Sequence, residues 1–143
     1  MSMRRELPGG YELDDDRERV DVDAVHDFIA NHSYWAQGRP QGVVERLVRE
    51  ASRVVGLYHE GRLVGFSRAL SDGVIFAYLA DVYVLDEHRG RGLGLELVRE
   101  TIEGSPFSDV RWVLGTADAQ SFYEKLGFGP TSDLMERPKR SPE

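Results

Sequence analysis

The feature that most restricts this chain lies between residues 79 and 103. Leu79-Ala80-Asp81-Val82-Tyr83-Val84-Leu85 is apolar at every position except Asp81, the composition of a strand covered on both faces. After a short connection comes Arg89-Gly90-Arg91-Gly92-Leu93-Gly94. There follows a stretch to residue 103 in which Leu93, Leu97, Val98 and Ile102 recur at helical spacing, with Glu96, Arg99, Glu100 and Glu103 on the water side. Strand, glycine turn and helix in this order place the unpartnered N–H groups of the first helical turn beside an unobstructed backbone. Such a terminus favours an anion, and a diphosphate is the natural guest, with Arg89 and Arg91 adding charge. A plain strand-to-helix turn needs fewer glycines than three in alternation. The spacing is G-x-G-x-G, not the G-x-G-x-x-G of dinucleotide folds, and no G-K-[ST] follows.

The rest of the chain supplies a mixed sheet and its helices. Residues 11–13 read as a short strand, and 14–19 as a charged, solvated connection. Asp21 suits the cap of a helix over 22–31 with Val22, Val25, Phe28 and Ile29 on one face. A loop over 32–41 leads to a helix over 42–51 with a buried stripe of Val43, Val44, Leu47, Val48 and Ala51. Residues 53–59 and 62–70 form a hairpin about Glu60-Gly61, and 74–85 hold one long or two consecutive strands. A strand over 110–114, a helix over 119–126 capped by Asp118 and stopped by Gly127, and a strand over 131–136 complete the order. The expected class is an α/β sandwich with a mixed sheet. One domain over 1–143 is expected, with residues 1–9 and 137–143 as loose tails.

Composition narrows the partners. There is no cysteine, so thiolate metal sites, disulfides and a cysteine nucleophile are excluded. The four histidines, at 26, 32, 59 and 88, have no metal-ligand spacing, and no metal is expected. A net charge of −7 argues against nucleic acid. The polar N-terminus has no signal-peptide core, and no apolar run would span a membrane, so a cytoplasmic protein is expected.

Arg89, Gly92 and Gly94 fill the defining positions of a Q/R-x-x-G-x-G/A signature, and Phe122-Tyr123-Glu124-Lys125-Leu126-Gly127-Phe128 matches F-Y-x-x-x-G-F further on. In these two motifs the chain resembles the GNAT superfamily of N-acetyltransferases over roughly residues 10–136. Tyr34-Trp35-Ala36 and the segment 78–82 are similar to a group of short bacterial members. The resemblance implies a mostly antiparallel sheet of six to seven strands flanked by about four helices. It also implies direct transfer of an acetyl group from acetyl-CoA to an amine. Residues 89–94 (Arg89, Gly90, Arg91, Gly92, Leu93 and Gly94) would hold the diphosphate, and the backbone of Val82, Tyr83 and Val84 the pantetheine arm. Ala119 and Phe122 would pack beside it, and Tyr123 would protonate the departing thiolate. Thr116 stands where relatives often carry Asn, a departure that weakens any side-chain contact there.

Other site residues follow from residue type. Asp81, alone in its apolar strand, is either a general base or a structural acceptor for a nearby loop. His88 reads as a solvent-facing loop histidine. Tyr34, Trp35, Phe66 and Arg68 are candidates for the acceptor side, and the charge of Arg68 suits an acceptor carboxylate. Ser67 in Gly65-Phe66-Ser67-Arg68-Ala69 is a strand serine, since no elbow turn follows. The competing reading is a CoA or nucleotide sensor of the same fold without turnover. The partner expected is a small-molecule or peptide amine, with a homodimer possible.

Overall fold

The computed structural model describes residues 3–140. Six strands lie in chain order across one sheet: β1 (Arg4–Leu7), β2 (Tyr11–Asp14), β3 (Arg53–His59), β4 (Arg62–Ser71), β5 (Phe76–Val84) and β6 (Arg111–Val113). All neighbours are antiparallel except β5 and β6. Glu60 and Gly61 carry φ of 52° and 81°, so the β3–β4 turn has two left-handed residues, as a two-residue hairpin requires. Asp72 closes the β4–β5 turn by accepting the N–H groups of Val74, Ile75 and Phe76.

Side-chain alternation on β3 and β4, reset by a bulge at Val64 in β4, gives two cores. Val54, Tyr58 and Phe66 point to one face, under α1 (Val22–His32) and α2 (Gln41–Glu50), where Val25, Phe28, Ile29, Val44 and Val48 meet them. Val55, Leu57 and Val64 point to the other face, under Leu93 and Leu97 of α3 (Leu93–Glu103). The parallel β5–β6 pair demands a crossover, and α3 supplies it, packing on β3, β4 and β5. A short α4 (Gln120–Glu124) follows β6. Asp21 caps α1 through the Ala24 N–H, as expected.

Several expectations need correction. Residues 1 and 2 lie outside the described residues, but Arg4–Leu7 is a strand, not a loose tail; its charges suit an edge position. The 14–19 connection is not simply solvated. The Asp14 carboxylate is 2% exposed and accepts from Arg4, Arg19 and the Asp16 N–H. Val43 is exposed, because the buried stripe of α2 is centred on Val44 and Val48. Thr101 is buried on α3 and Ile102 only partly. Thr116 Oγ1, not Asp118, accepts the Ala119 N–H before α4. Residues 131–136 form no strand; they run irregularly with Leu134 and Met135 exposed. Residues 137–140 are exposed and irregular, and 141–143 lie outside the described residues.

Burial pushes the Asp14 carboxyl up, but Arg19, the Asp16 N–H and Arg4 together hold it below the ordinary carboxylate range. A carboxyl depressed in the folded state stabilises above its unfolded pKa of about 3.9, and that contribution is lost as pH falls towards the folded value. Asp14→Asn should therefore be less stable than the parent at pH 6, and the difference should shrink progressively as pH falls below about 4 in urea titrations.

Candidate active site

The sheet splits at its last strand. β5 and β6 pair only at Phe76↔Arg111, Ala77↔Trp112 and Tyr78↔Val113. Beyond Tyr78, β5 runs on to Val84 while the other chain leaves through Leu114, Gly115 and Thr116. A cleft of about 800 Å³ opens between them. Backbone groups along a strand alternate between its two edges. The Leu85 N–H donates to Val64 O on the β4 side, so the groups of Val84 face the opposite edge. There Arg89 Nε donates to Val84 O at 2.8 Å. The edge of β5 past Tyr78 has no strand partner among the described residues.

Arg89, the first residue of the glycine loop, lines one end of this cleft; residues 90–94 lie next to it in the chain and outside its lining. Gly90 and Gly92 have φ of 80° and 77°, and a Cβ placed on either would meet no atom within 4 Å. Nothing fills the space in front of them. Gly92 is the N-cap of α3 and its left-handed backbone leaves the helix without a side-chain cap. Its carbonyl accepts the Glu96 N–H, so the N–H groups of the first turn remain as free donors. Gly94 serves differently: a Cβ there would meet the Phe122 ring at 3.4 Å, so this is where α4 lies against α3. Arg89 is tied to Val84 O and to Asp86, whereas Arg91 makes no ion pair among the described residues.

Asp81 stands midway. Phe66 pairs with Tyr83 and Arg68 with Ala80, so β5 carries one extra residue in this stretch, a bulge. Asp81 sits in it with φ of 54°, a left-handed conformation that Asp tolerates better than most residues. The bulge turns its carboxylate onto the loop between α1 and α2. Oδ1 accepts from Trp35 Nε1 at 2.9 Å and Arg39 Nη1 at 3.2 Å; Oδ2 accepts from Arg39 Nη1 at 3.0 Å and Arg68 Nε at 2.5 Å. Burial raises its pKa, but Arg68, Arg39 and Trp35 outweigh that and hold it below the usual carboxylate range. Four donor contacts on two oxygens leave no free lone pair and a weak base. Of the two readings, geometry favours the structural acceptor and opposes the general base.

The acceptor candidates separate. Trp35, Tyr34 and Arg68 line the cleft. Phe66 does not: it is 1% exposed beneath α1, in the core with Phe28 and Tyr83. Tyr34 reaches across, its hydroxyl accepting the Ala117 N–H at 3.0 Å. Val82, Tyr83, Arg89 and Ala119 also line the cleft, as does Tyr123 from α4. Phe122 meets the Tyr123 ring edge-on and packs on Gly94. Burial, with smaller effects from Tyr34 and Asp118, pushes the Tyr123 hydroxyl up to about 12. His88 does not simply face solvent: its Nδ1 lies 2.7 Å from the Tyr11 hydroxyl, and its ring packs by Tyr11 and His59. Arg39 escaped the sequence reading. Its role rests on a contact 42 residues away, which no local pattern signals.

The profile of the acetyltransferase (GNAT) domain matches residues 50–130, from the start of the β3–β4 hairpin past the glycine loop and α4. The chain belongs to the GNAT family of acetyltransferases. A Gibberella zeae protein named as a presumptive acetyltransferase is 30% identical to this GNAT chain, over 83% of this chain and 79% of its own length. A Xanthomonas campestris crystal structure assigned to the GNAT family superposes with a TM-score of 0.85 at 33% identity, covering 94% of this chain and 96% of that one. An N-acetyltransferase of Pyropia yezoensis, itself uncharacterised, is 30% identical over 66% of this chain and 57% of its own. The six-stranded, mostly antiparallel sheet with four helices is the GNAT architecture. Among the described residues of this GNAT domain, no helix is long and apolar enough to cross a membrane, and no three His, Cys, Asp or Glu gather to hold a metal.

Removing the Asp81 charge would leave two guanidiniums facing each other in a half-dry site. Asp81→Asn should cost about 3 kcal/mol of stability. Trp35→Phe, which removes one donor to a charged acceptor, should cost about 1 kcal/mol. Urea denaturation of both variants against the parent measures this.

Proposed function

We propose that the protein transfers an acetyl group from acetyl-CoA to an amine held in the cleft, by direct attack with both substrates bound. One observation carries the reading. A single cleft runs from Arg89, three residues before the uncapped start of α3, along the open edge of β5, to Tyr123. The residues present suit CoA: free N–H donors and empty space at Gly90 and Gly92 accommodate a diphosphate, and an unpaired strand edge accommodates the amides of the pantetheine arm. Acetyl-CoA bound there would supply the acetyl group as an activated thioester and leave as the CoA thiol.

The residues divide the work. The amides of residues 92–94 bind the diphosphate, with Arg91 free to add charge. Val82 and Val84 offer backbone groups at the open edge to hold the pantetheine arm extended. Ala119 and Phe122 close its far side. A backbone N–H on that edge is also placed to polarise a carbonyl oxygen. Tyr123 holds a proton at its hydroxyl and gives it to the leaving sulfur. A phenol raised to about 12 stays protonated across the physiological range. Asp81 keeps the bulge and the α1–α2 loop in place and leaves the deprotonation of the amine to solvent or to the acceptor's own acid–base equilibrium.

Gly92→Glu adds a side chain to a left-handed N-cap and a negative charge where the diphosphate would sit. CoA affinity by calorimetry should fall at least tenfold, about 1.4 kcal/mol; undiminished affinity would remove the loop from the reading. Tyr123→Phe should lower kcat by about a hundredfold while CoA affinity changes less than about threefold. In the parent, no alkaline fall in kcat from Tyr123 should appear below about pH 10. Thiol release from acetyl-CoA over an amine panel reads both.

A further inference from the structure

The charges at the acceptor end of the cleft do not balance locally. Arg39 and Arg68 both line it, and both are ion-paired with one carboxylate, Asp81. Neither makes another ion pair among the described residues. Two guanidiniums against one carboxylate leave one unit of positive charge. Arg68 is the more costly of the two to leave so: its side chain is 9% exposed. Only its Nε is bonded; Nη1 is buried without a partner, while Nη2 makes no hydrogen bond and is not enclosed as Nη1 is. A buried cation with idle donors is expensive unless something anionic completes it.

The other charged or titratable groups of the cleft do not. Asp118 and Glu136 are on the far wall and exposed, and neither reaches either guanidinium. Arg89 belongs to the glycine loop, and His32 pairs at 3.8 Å with Asp27. The exposed acids at the wall and the buried guanidinium at the floor would favour a ligand carrying opposite charges at its two ends. Trp35, Tyr34 and Tyr78 supply partly exposed aromatic surface between them.

We infer that the acceptor is a small amine that also carries a carboxylate, an amino acid or short peptide, and that Arg68, with Arg39 beside it, is the carboxylate subsite. This rests on the acetyl-transfer reading for the amine but not for the subsite itself. The residual charge is a single unit, which a monoanionic carboxylate neutralises and a phosphate dianion would exceed. Guanidinium donors match carboxylate oxygens in geometry as well as charge. Asp81 is then a positioning residue. It spends its own oxygens on Nε of Arg68 and Nη1 of Arg39, so each guanidinium is fixed at one nitrogen and Nη2 of Arg68, which is not enclosed, keeps its donors.

The test compares matched ligands that differ only in the carboxylate. Amino acids and dipeptides, phenylalanine and leucine among them, are titrated calorimetrically against their C-terminal amides and decarboxylated amines, with and without CoA. Phosphoethanolamine serves as the phosphate arm. At least one acid should bind about tenfold or more tightly than its amide. Arg68→Gln should abolish that difference, and Arg68→Lys should restore part of it. Arg39→Gln, at a more exposed position, should reduce it even if Arg68 variants fold poorly. Equal affinity for acids and amides, no binding of any acid, or preference for phosphoethanolamine would overturn the inference. Failure to bind CoA would instead count against the acetyl-CoA reading, while the acid-to-amide ratio still decides this one.

Discussion

Everything about the site depends on a sheet pairing that stops early. Three parallel rungs join β5 to β6, and then the strands part. Had the ladder continued, the edge of β5 would be consumed and the cleft closed. The parting follows from the sequence on both sides. β5 is long and apolar, held by β4 along its other edge, so it needs no second partner to stay in the sheet. The chain after Val113 turns away through Leu114, Gly115 and Thr116 into the cap of α4.

The bulge at Asp81 is the second constraint, and it ties the α1–α2 loop to the sheet. It bends β5, re-aims one carboxylate, and gathers Trp35 and Arg39 from the α1–α2 loop with Arg68 from β4. A loop with few apolar anchors of its own is thereby fixed against the sheet. Tyr34, the residue before Trp35, then spans the cleft to Ala117. Local backbone strain of this kind is tolerable only where several partners enforce it.

The helices and central strands were legible in the sequence because their apolar spacing is strong: Val25, Phe28 and Ile29 on α1, or Leu93, Leu97 and Val98 on α3. The glycine loop was legible for the same kind of reason, since three alternating glycines have few other uses. Elements with weak spacing were misread. Arg4–Leu7 is an edge strand held by charge pairing, with Leu7 its one apolar residue packing on the core. Residues 131–136 have no alternation and form none. Phe66 and Arg68 share a sheet face by period two, yet α1 covers only the first; that difference in cover, invisible in the pattern, makes one a core residue and the other part of the cleft wall. Asp81 is buried by partners far away in sequence, so local composition could not assign it, and Asp14 by Arg4 and Arg19 on either side of it, which a reading as a solvated charge run passed over.

The free edge of β5 also governs where binding energy can come from. Amides left without a strand partner are hydrated before any ligand arrives, and a ligand that pairs with them exchanges one set of hydrogen bonds for another. Each exchange yields a net gain of only about 1 kcal/mol. Such an edge fixes register and direction far better than it supplies affinity. In the proposed function the grip then falls to the two ends of the cleft, of which the Arg68 end is the drier and the glycine end open to water.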